Sequence, residues 1–213
     1  EAGKTECWLV LHARPGSEIF LGLRHGIDRA ALVHELARGS ADQCLNAFPA
    51  RAGDFLFVPA GTVHAIGAGV LLAEIQQSSD TTFRLFDWNR TDLATGQPRE
   101  LQVEHALESL DFDLVSPPPV NVGDTPASSN CVPLLGPDQC PHFVVTWRRV
   151  LTSDSIGEID RCHVLVCLNG SGQVSGGGEQ IPARPGDCLL LPAGGEFTCQ
   201  ASKPLEILDA WVP

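Results

Sequence analysis

The sequence predicts a mainly β protein built as two tandem domains of barrel or sandwich type, with a small helical insertion in the first. Three observations predict it. Short apolar runs bounded by Gly and Pro recur along the 213 residues, the pattern of many short strands joined by turns. A twelve-residue segment beginning at Gly53 returns 133 positions later at Gly186. A proline-dense stretch separates the two copies.

The elements follow in order. Cys7-Trp8-Leu9-Val10-Leu11 is a strand candidate stopped by Arg14-Pro15-Gly16. Asp28 is placed as an N-cap, Ile27 and Leu32 as a hydrophobic staple, and Gly39 as the stop of a helix. Ser40 with Gln43 has capping-box spacing and opens a second short helix. Phe55–Val58, Val70–Ile75 and Thr81–Phe86 are strand candidates. Val103, Leu107 and Leu110 stand at i, i+4 and i+7, one face of a helix. Residues 113–141 hold seven of the sixteen prolines; missing donors and fixed φ make this a surface linker. Strands return over 142–213, with glycine-rich turns expected at 169–172 and 176–178. The expected domains are thus 1–112, a linker over 113–141, and 142–213.

Composition narrows the function. Fourteen basic and 26 acidic residues give a net charge of −12, which repels phosphodiester backbones and anionic lipid, so neither nucleic acid nor a membrane surface is an expected partner. No apolar run reaches the ~18 residues of a membrane span. No secretory signal is visible. Eight cysteines without a C-x-x-C pair, several inside apolar runs, read as reduced, mostly buried thiols of a cytoplasmic protein rather than a disulfide or cysteine-zinc framework.

The repeat carries the chemistry. Gly53-Asp54-Phe55-Leu56-Phe57-Val58-Pro59-Ala60-Gly61-Thr62-Val63-His64 matches Gly186-Asp187-Cys188-Leu189-Leu190-Leu191-Pro192-Ala193-Gly194-Gly195-Glu196-Phe197 in its Gly-Asp start, apolar strand and Pro-Ala-Gly turn. Gly-x5-Pro-x-Gly-x-x-His resembles the second motif of the cupin superfamily, small jelly-roll barrels. The second copy keeps the frame with Phe197 in place of His64, so the frame does not need the histidine to fold. His64 is therefore a candidate metal ligand, and no metal is expected in the second domain. Glu6, entering the first strand, is a candidate oxygen ligand. Lys4, one of two lysines against twelve arginines, suits a phosphate or sugar oxygen. By period-2 alternation Leu72, Glu74 and Gln76 share a face, as do Thr82 and Arg84; spacing leaves open whether those faces point inward or to solvent.

Gly3-Lys4-Thr5-Glu6, the stretch Pro59–Gly69, Glu74-Ile75-Gln76-Gln77-Ser78-Ser79-Asp80-Thr81-Thr82-Phe83-Arg84 and Asp87-Trp88 together resemble the type I phosphomannose isomerases, nearest the short bacterial form. The resemblance implies an aldose–ketose isomerase acting on a sugar phosphate, with zinc bound by Glu6 and His64. It places Arg84 at the family's catalytic arginine and Lys4 and Glu74 among its substrate-site residues. An enediolate pathway needs a proton shuttle, for which Glu74 is the candidate, a fixed cation such as Arg84, and a phosphate grip from Lys4 and Arg90. The family's Gln-x-His ligand pair does not occur among the seven histidines, and the expectation is that an upstream segment brings it. His12 lies six residues past Glu6, ~20 Å along a strand. A non-catalytic sugar-binding cupin is the competing reading; a cupin dioxygenase would need two histidines and a carboxylate.

Overall fold

The computed structural model describes residues 3–92, 94–126, 129–157 and 160–213, which fall into two compact units, Glu1–Val120 and Asn121–Pro213. In the first, strands β1 (Glu6–Ala13), β4 (Asp54–Val58), β6 (Val70–Gln76) and β7 (Val120–Asn121) form a sheet of order β6-β1-β4-β7. Strands β2 (Glu18–Leu23), β3 (Leu45–Pro49) and β5 (His64–Ile66) form a second, of order β3-β2-β5. Alternation sends Trp8, Val10, Leu56 and Val58 from one sheet and Ile19 and Leu21 from the other into a shared core.

Helix α1 (Arg29–Arg38) starts and stops where the sequence indicates. Asp28 accepts from the Ala31 amide at 2.8 Å, and Gly39 adopts φ 71° while its N–H meets the last carbonyls of the helix. Ile27 packs on the cluster that contains buried Leu32, as a staple requires. Helix α2 (Val103–Ser109) joins the same cluster through Ala106 and Leu107. Ser40 departs from expectation. Ala41–Cys44 is a 3₁₀ turn without a side-chain cap, because the Ser40 hydroxyl donates instead to the Glu35 carboxylate at 2.5 Å. The segment 81–86 also differs: it is irregular rather than a strand. Its backbone is engaged by Gln102, whose amide donates to the Arg84 carbonyl at 2.9 Å and whose side chain accepts from the Arg84 N–H at 3.0 Å. No helix among the described residues is long and apolar enough to cross a membrane.

The second unit contains β8 (Cys131–Leu135), β9 (Val144–Val150), β10 (Ser153–Ile156), β11 (His163–Gly176), β12 (Glu179–Ala183), β13 (Cys188–Leu191) and β14 (Phe197–Trp211). The long strands β11 and β14 pair along most of their lengths; β13 joins the first part of β11 and β12 its end. The expected turn at 169–172 is instead a series of bulges inside β11, with register shifts between Cys167 and Gly172. Gly170 makes them possible: it sits at φ 83°, and a Cβ there would lie 1.9 Å from the Pro204 carbonyl oxygen. The turn at 176–178 forms as expected, with Gly177 and Gly178 at φ 58° and 82° between β11 and β12. Within the proline-dense stretch, β7 and β8 are edge strands, positions that tolerate the missing donor of Pro133. The eight cysteines form no disulfide among the described residues, five of them are buried, and burial pushes the Cys167 and Cys199 thiols up to about 11.

The sequence repeat is also a structural one. Gly53 and Gly186 adopt φ 89° and 91°, and Gly61 and Gly194 both adopt 85°. Asp54 accepts from the Arg51 amide and Asp187 from the Arg184 amide, each at 2.8 Å. Register then extends the equivalence. Glu6 lies opposite Val58 and His163 opposite Leu191; Trp8 lies opposite Glu74 and Leu165 opposite Asp209. His163 thus corresponds to Glu6, and Asp209 to Glu74. In the second unit these positions form a buried network: His163 Nδ1 is 2.6 Å from Asp209 Oδ1, and Arg148 Nε donates to Asp209 Oδ2 at 2.9 Å. Removing the shared carboxylate leaves the buried imidazole without its partner and Arg148 with Asp154 at 3.5 Å, so Asp209→Ala is expected to destabilise the chain by about 3–5 kcal/mol. Chemical denaturation measures this; a loss below about 1 kcal/mol would show that the network adds nothing.

Candidate functional site

The N-terminal entry to β1 is pinned against the Pro-Ala-Gly turn that precedes β5. Thr5 Oγ1 accepts from the Ala60 amide at 3.2 Å, and the Thr5 N–H donates to the Gln77 side chain at 2.9 Å. These contacts bring Glu6 and His64 together, with His64 Nε2 2.9 Å from Glu6 Oε1. The Trp8 ring meets the His64 ring edge-on at 5.2 Å. Lys4 Nζ lies 3.3 Å from Glu6 and 3.5 Å from Glu74, and donates to Gln76 Oε1 at 2.5 Å. Glu74 and Gln76 therefore face the same side as Glu6 and Trp8, which settles the orientation that spacing left open.

His64 Nδ1 lies 2.8 Å from the Thr62 carbonyl oxygen. That acceptor assigns one ring proton to Nδ1 and leaves the Nε2 lone pair to take a second proton or a metal ion. The lone pair points at Glu6 Oε1, a buried atom with no hydrogen-bond donor among the described residues. Two acceptors facing each other at 2.9 Å call for a cation between or beside them, either a proton on the ring or a metal ion. The donor types, one imidazole and one carboxylate, suit zinc. Among the described residues no group of three or more His, Cys, Asp or Glu side chains converges, so Glu6 and His64 supply two donors. His12 is exposed opposite Leu71, away from this point.

The carboxyl pair is electrostatically uneven. Burial pushes Glu6 up, but with a proton on the His64 ring as the cation, hydrogen bonding with His64 and Glu74 and the charges of His64 and Lys4 outweigh it and hold Glu6 at about 2. Glu74, hydrogen-bonded to Glu6, partly desolvated and beside its charge, is pushed up to about 6 against the opposing effect of Lys4. Below about pH 6 the pair holds one proton, carried by Glu74.

Of these groups Lys4 and His64 line a cleft of about 1080 Å³ that is also lined by Arg84 and Arg90. Arg84 donates to the Glu100 carbonyl oxygen at 3.3 Å. The structure thus clusters Lys4, Glu6, His64 and Glu74, and sets Arg84 and Arg90 on another part of the cleft wall. Sequence reasoning missed Gln76 as a partner of Lys4. It also missed Arg99, which shares the Asp87 carboxylate with Arg90. Arg99 follows a Gly-Gln-Pro turn and carries no periodic signal; only its tertiary contact reveals it.

A mainly β, cupin-like protein with a charged cleft beside a histidine–carboxylate pair is the class that fold and site define. Residues 157–212 match the family described as the AraC-like ligand binding domain. Mannose-6-phosphate isomerase of Streptococcus mutans is 35% identical over 192 residues, covering 90% of this chain and 59% of that protein. Mannose-6-phosphate isomerase ManA of Bacillus subtilis is 34% identical over 200 residues, 92% of this chain and 61% of that one. The crystal structure of the mannose 6-phosphate isomerase from Bacillus subtilis superposes with a TM-score of 0.80 at 26% identity, over 97% of this chain and 64% of that chain. Over the part that it spans, the chain is similar to proteins named mannose-6-phosphate isomerase. It spans about three-fifths of the length of these curated relatives.

The lone-pair geometry predicts that zinc binding depends on His64 and not on His163. Elemental analysis should find no more than one zinc per chain, lost in His64→Gln and retained in His163→Gln. Retention of zinc in His64→Gln would remove this pair as the metal site.

Proposed function

We propose that the chain provides the catalytic centre of a zinc-dependent mannose-6-phosphate isomerase, interconverting mannose 6-phosphate and fructose 6-phosphate through an enediolate. The observation that carries this reading is the cluster of Lys4, Glu6, His64 and Glu74, of which Lys4 and His64 line a cleft that Arg84 also lines. In this reading both units are cupin barrels: residues 1–112 form the catalytic domain and 142–213 a metal-free partner. Eight cysteines without a disulfide among the described residues support a reducing, cytoplasmic setting.

Zinc, held by Glu6 and His64, would supply positive charge to the sugar oxygens. The remaining chemistry falls to side chains. Glu74, poised at about 6, takes the proton from C2 of the aldose and returns it to C1, a shuttle for which an ionised carboxylate near neutral pH is suited. His64 cannot serve as that base, since its Nδ1 proton is committed to Thr62 and its Nε2 lone pair faces Glu6. Lys4 neutralises the carboxyl pair and can reach a sugar oxygen. Arg84 keeps its charge at every working pH and presents a planar fork to the enediolate; Arg90 is placed for the phosphate.

A second reading, a sugar-binding cupin without turnover, is favoured by one observation: two metal donors converge rather than three. Turnover of mannose 6-phosphate decides between them, with the absence of zinc-dependent turnover in the natural full-length protein favouring binding alone.

Two outcomes follow from the assigned roles. Arg84→Lys should retain fold and zinc yet lose about 2–4 kcal/mol of transition-state stabilisation, roughly 30- to 1,000-fold in kcat; activity within about threefold of wild type would remove Arg84 from the mechanism. Glu74 acts only when ionised, so kcat/KM should fall as pH drops through about 6 and stay level above it. Glu74→Gln should abolish turnover, and an unshifted acid limb in an active Glu74→Gln variant would assign that limb to another group.

A further inference from the structure

Resting on the isomerase reading, the structure assigns the grip on the substrate's phosphate to a paired-guanidinium receptor, Arg90 and Arg99 organised by Asp87, rather than to Lys4.

Lys4 is already engaged. Its ammonium has three N–H donors and three acceptors around it: Glu6, Glu74 and Gln76. A phosphate oxygen there would displace one of them and sit beside two carboxyls.

Other residues lining the cleft offer the opposite arrangement. Asp87 is 6% exposed. Its Oδ1 accepts from Arg90 Nη2 and Arg99 Nη2 at 2.5 Å each, and its Oδ2 accepts from Arg99 Nε at 2.9 Å. Arg90 Nε donates to the Asp87 carbonyl oxygen at 3.3 Å. One carboxylate thus orients two guanidiniums, with Asp92 also acting on Arg99 through its charge. Each guanidinium has five N–H donors, and these contacts use two of each. The rest belong to side chains that stay 60% and 40% exposed, both on the cleft wall. Two fixed forks with spare donors match the three oxygens of a phosphate monoester.

The backbone between the anchor and its first arginine is strained. Trp88 and Asn89 adopt φ 50° and 53°, the positive-φ residues other than glycine among those described. Left-handed backbone at two successive side-chain-bearing residues is costly and persists where surrounding contacts enforce it. Here the Asn89 side chain donates to the Gly39 carbonyl oxygen at 3.1 Å, and the Trp88 ring packs on Phe20 and Phe86 at 5.3 and 5.4 Å. The turn so held brings Arg90 back onto Asp87, three residues earlier. Asp87, whose carboxyl the two arginines hold well below the usual range, is a positioning residue; Arg90 and Arg99 make the contact.

Inorganic phosphate is the probe, titrated calorimetrically into the zinc-loaded chain. Arg99→Gln is expected to weaken its binding about 10- to 100-fold, the effect of losing charge-assisted hydrogen bonds, with circular dichroism and zinc content unchanged. Arg99→Lys, which keeps charge without the fork, should recover only part of the loss. In turnover, Arg99→Gln should raise KM for mannose 6-phosphate with a smaller change in kcat. Phosphate affinity unchanged in Arg99→Gln, or no phosphate binding by the wild-type chain at millimolar concentration, would overturn the assignment. Arg99-dependent phosphate binding without any turnover would instead leave the receptor standing and sink the isomerase reading.

Discussion

The buried carboxylate of Glu6 is the constraint around which the first unit's site is arranged. At 1% exposure it has given up nearly all of its hydration, which is tolerable only if neighbouring groups replace that hydration. Lys4, His64 and Glu74 do so from three segments of chain: the entry to β1, the start of β5 and the middle of β6. Each then acquires its own condition from Glu6. Lys4 is held at the mouth by the carboxyls it balances. His64 is aimed by the Thr62 carbonyl so that its free nitrogen faces the carboxylate. Glu74 retains a proton to unusually high pH because its neighbour has none.

The two units show how little of this chemistry the β frame demands. The Gly-Asp turn, the buried strand and the Pro-Ala-Gly turn are repeated with matching φ angles and matching aspartate-to-amide bonds. The side chains set on that frame are not. Where the first unit has Glu6, Glu74 and His64, the second has His163, Asp209 and Phe197, and its compensating cation comes from Arg148 on β9. In the second network the Asp209 carboxylate is closed internally, one oxygen on His163 and the other on Arg148, although the buried His163 Nε2 has no partner among the described residues. The first leaves Glu6 Oε1 and His64 Nε2 confronting each other. A closed network stabilises; an open pair of acceptors invites a cation.

Charge placement in the cleft is also economical in a protein of net charge −12. Arg84, Arg90 and Arg99 lie within an irregular stretch that no sheet ladder controls, and their positions come from side-chain and cap contacts with Asp87, Glu100 and Gln102. Low-dielectric walls lengthen the reach of such a local field. An anionic substrate is drawn to this wall, while its reacting end is left near the carboxyl pair.

The sequence by itself determined the local elements: β1, β4 and β6, the capped helix α1, α2, and the repeated turn with its glycines. These depend on interactions within a few residues, namely alternation, a side-chain cap, or a φ that only glycine reaches cheaply, and such rules are written in adjacent letters. It also marked Glu6 and His64, since the decayed repeat separated the histidine from the fold. Tertiary structure alone decided the rest. The orientation of Glu74 required the β1–β6 register; the bulges in β11 required the approach of Pro204 to Gly170; the irregular path of 81–86 required Gln102. Arg99 became visible only through Asp87, twelve positions away, because a contact across a folded loop leaves no period in the chain.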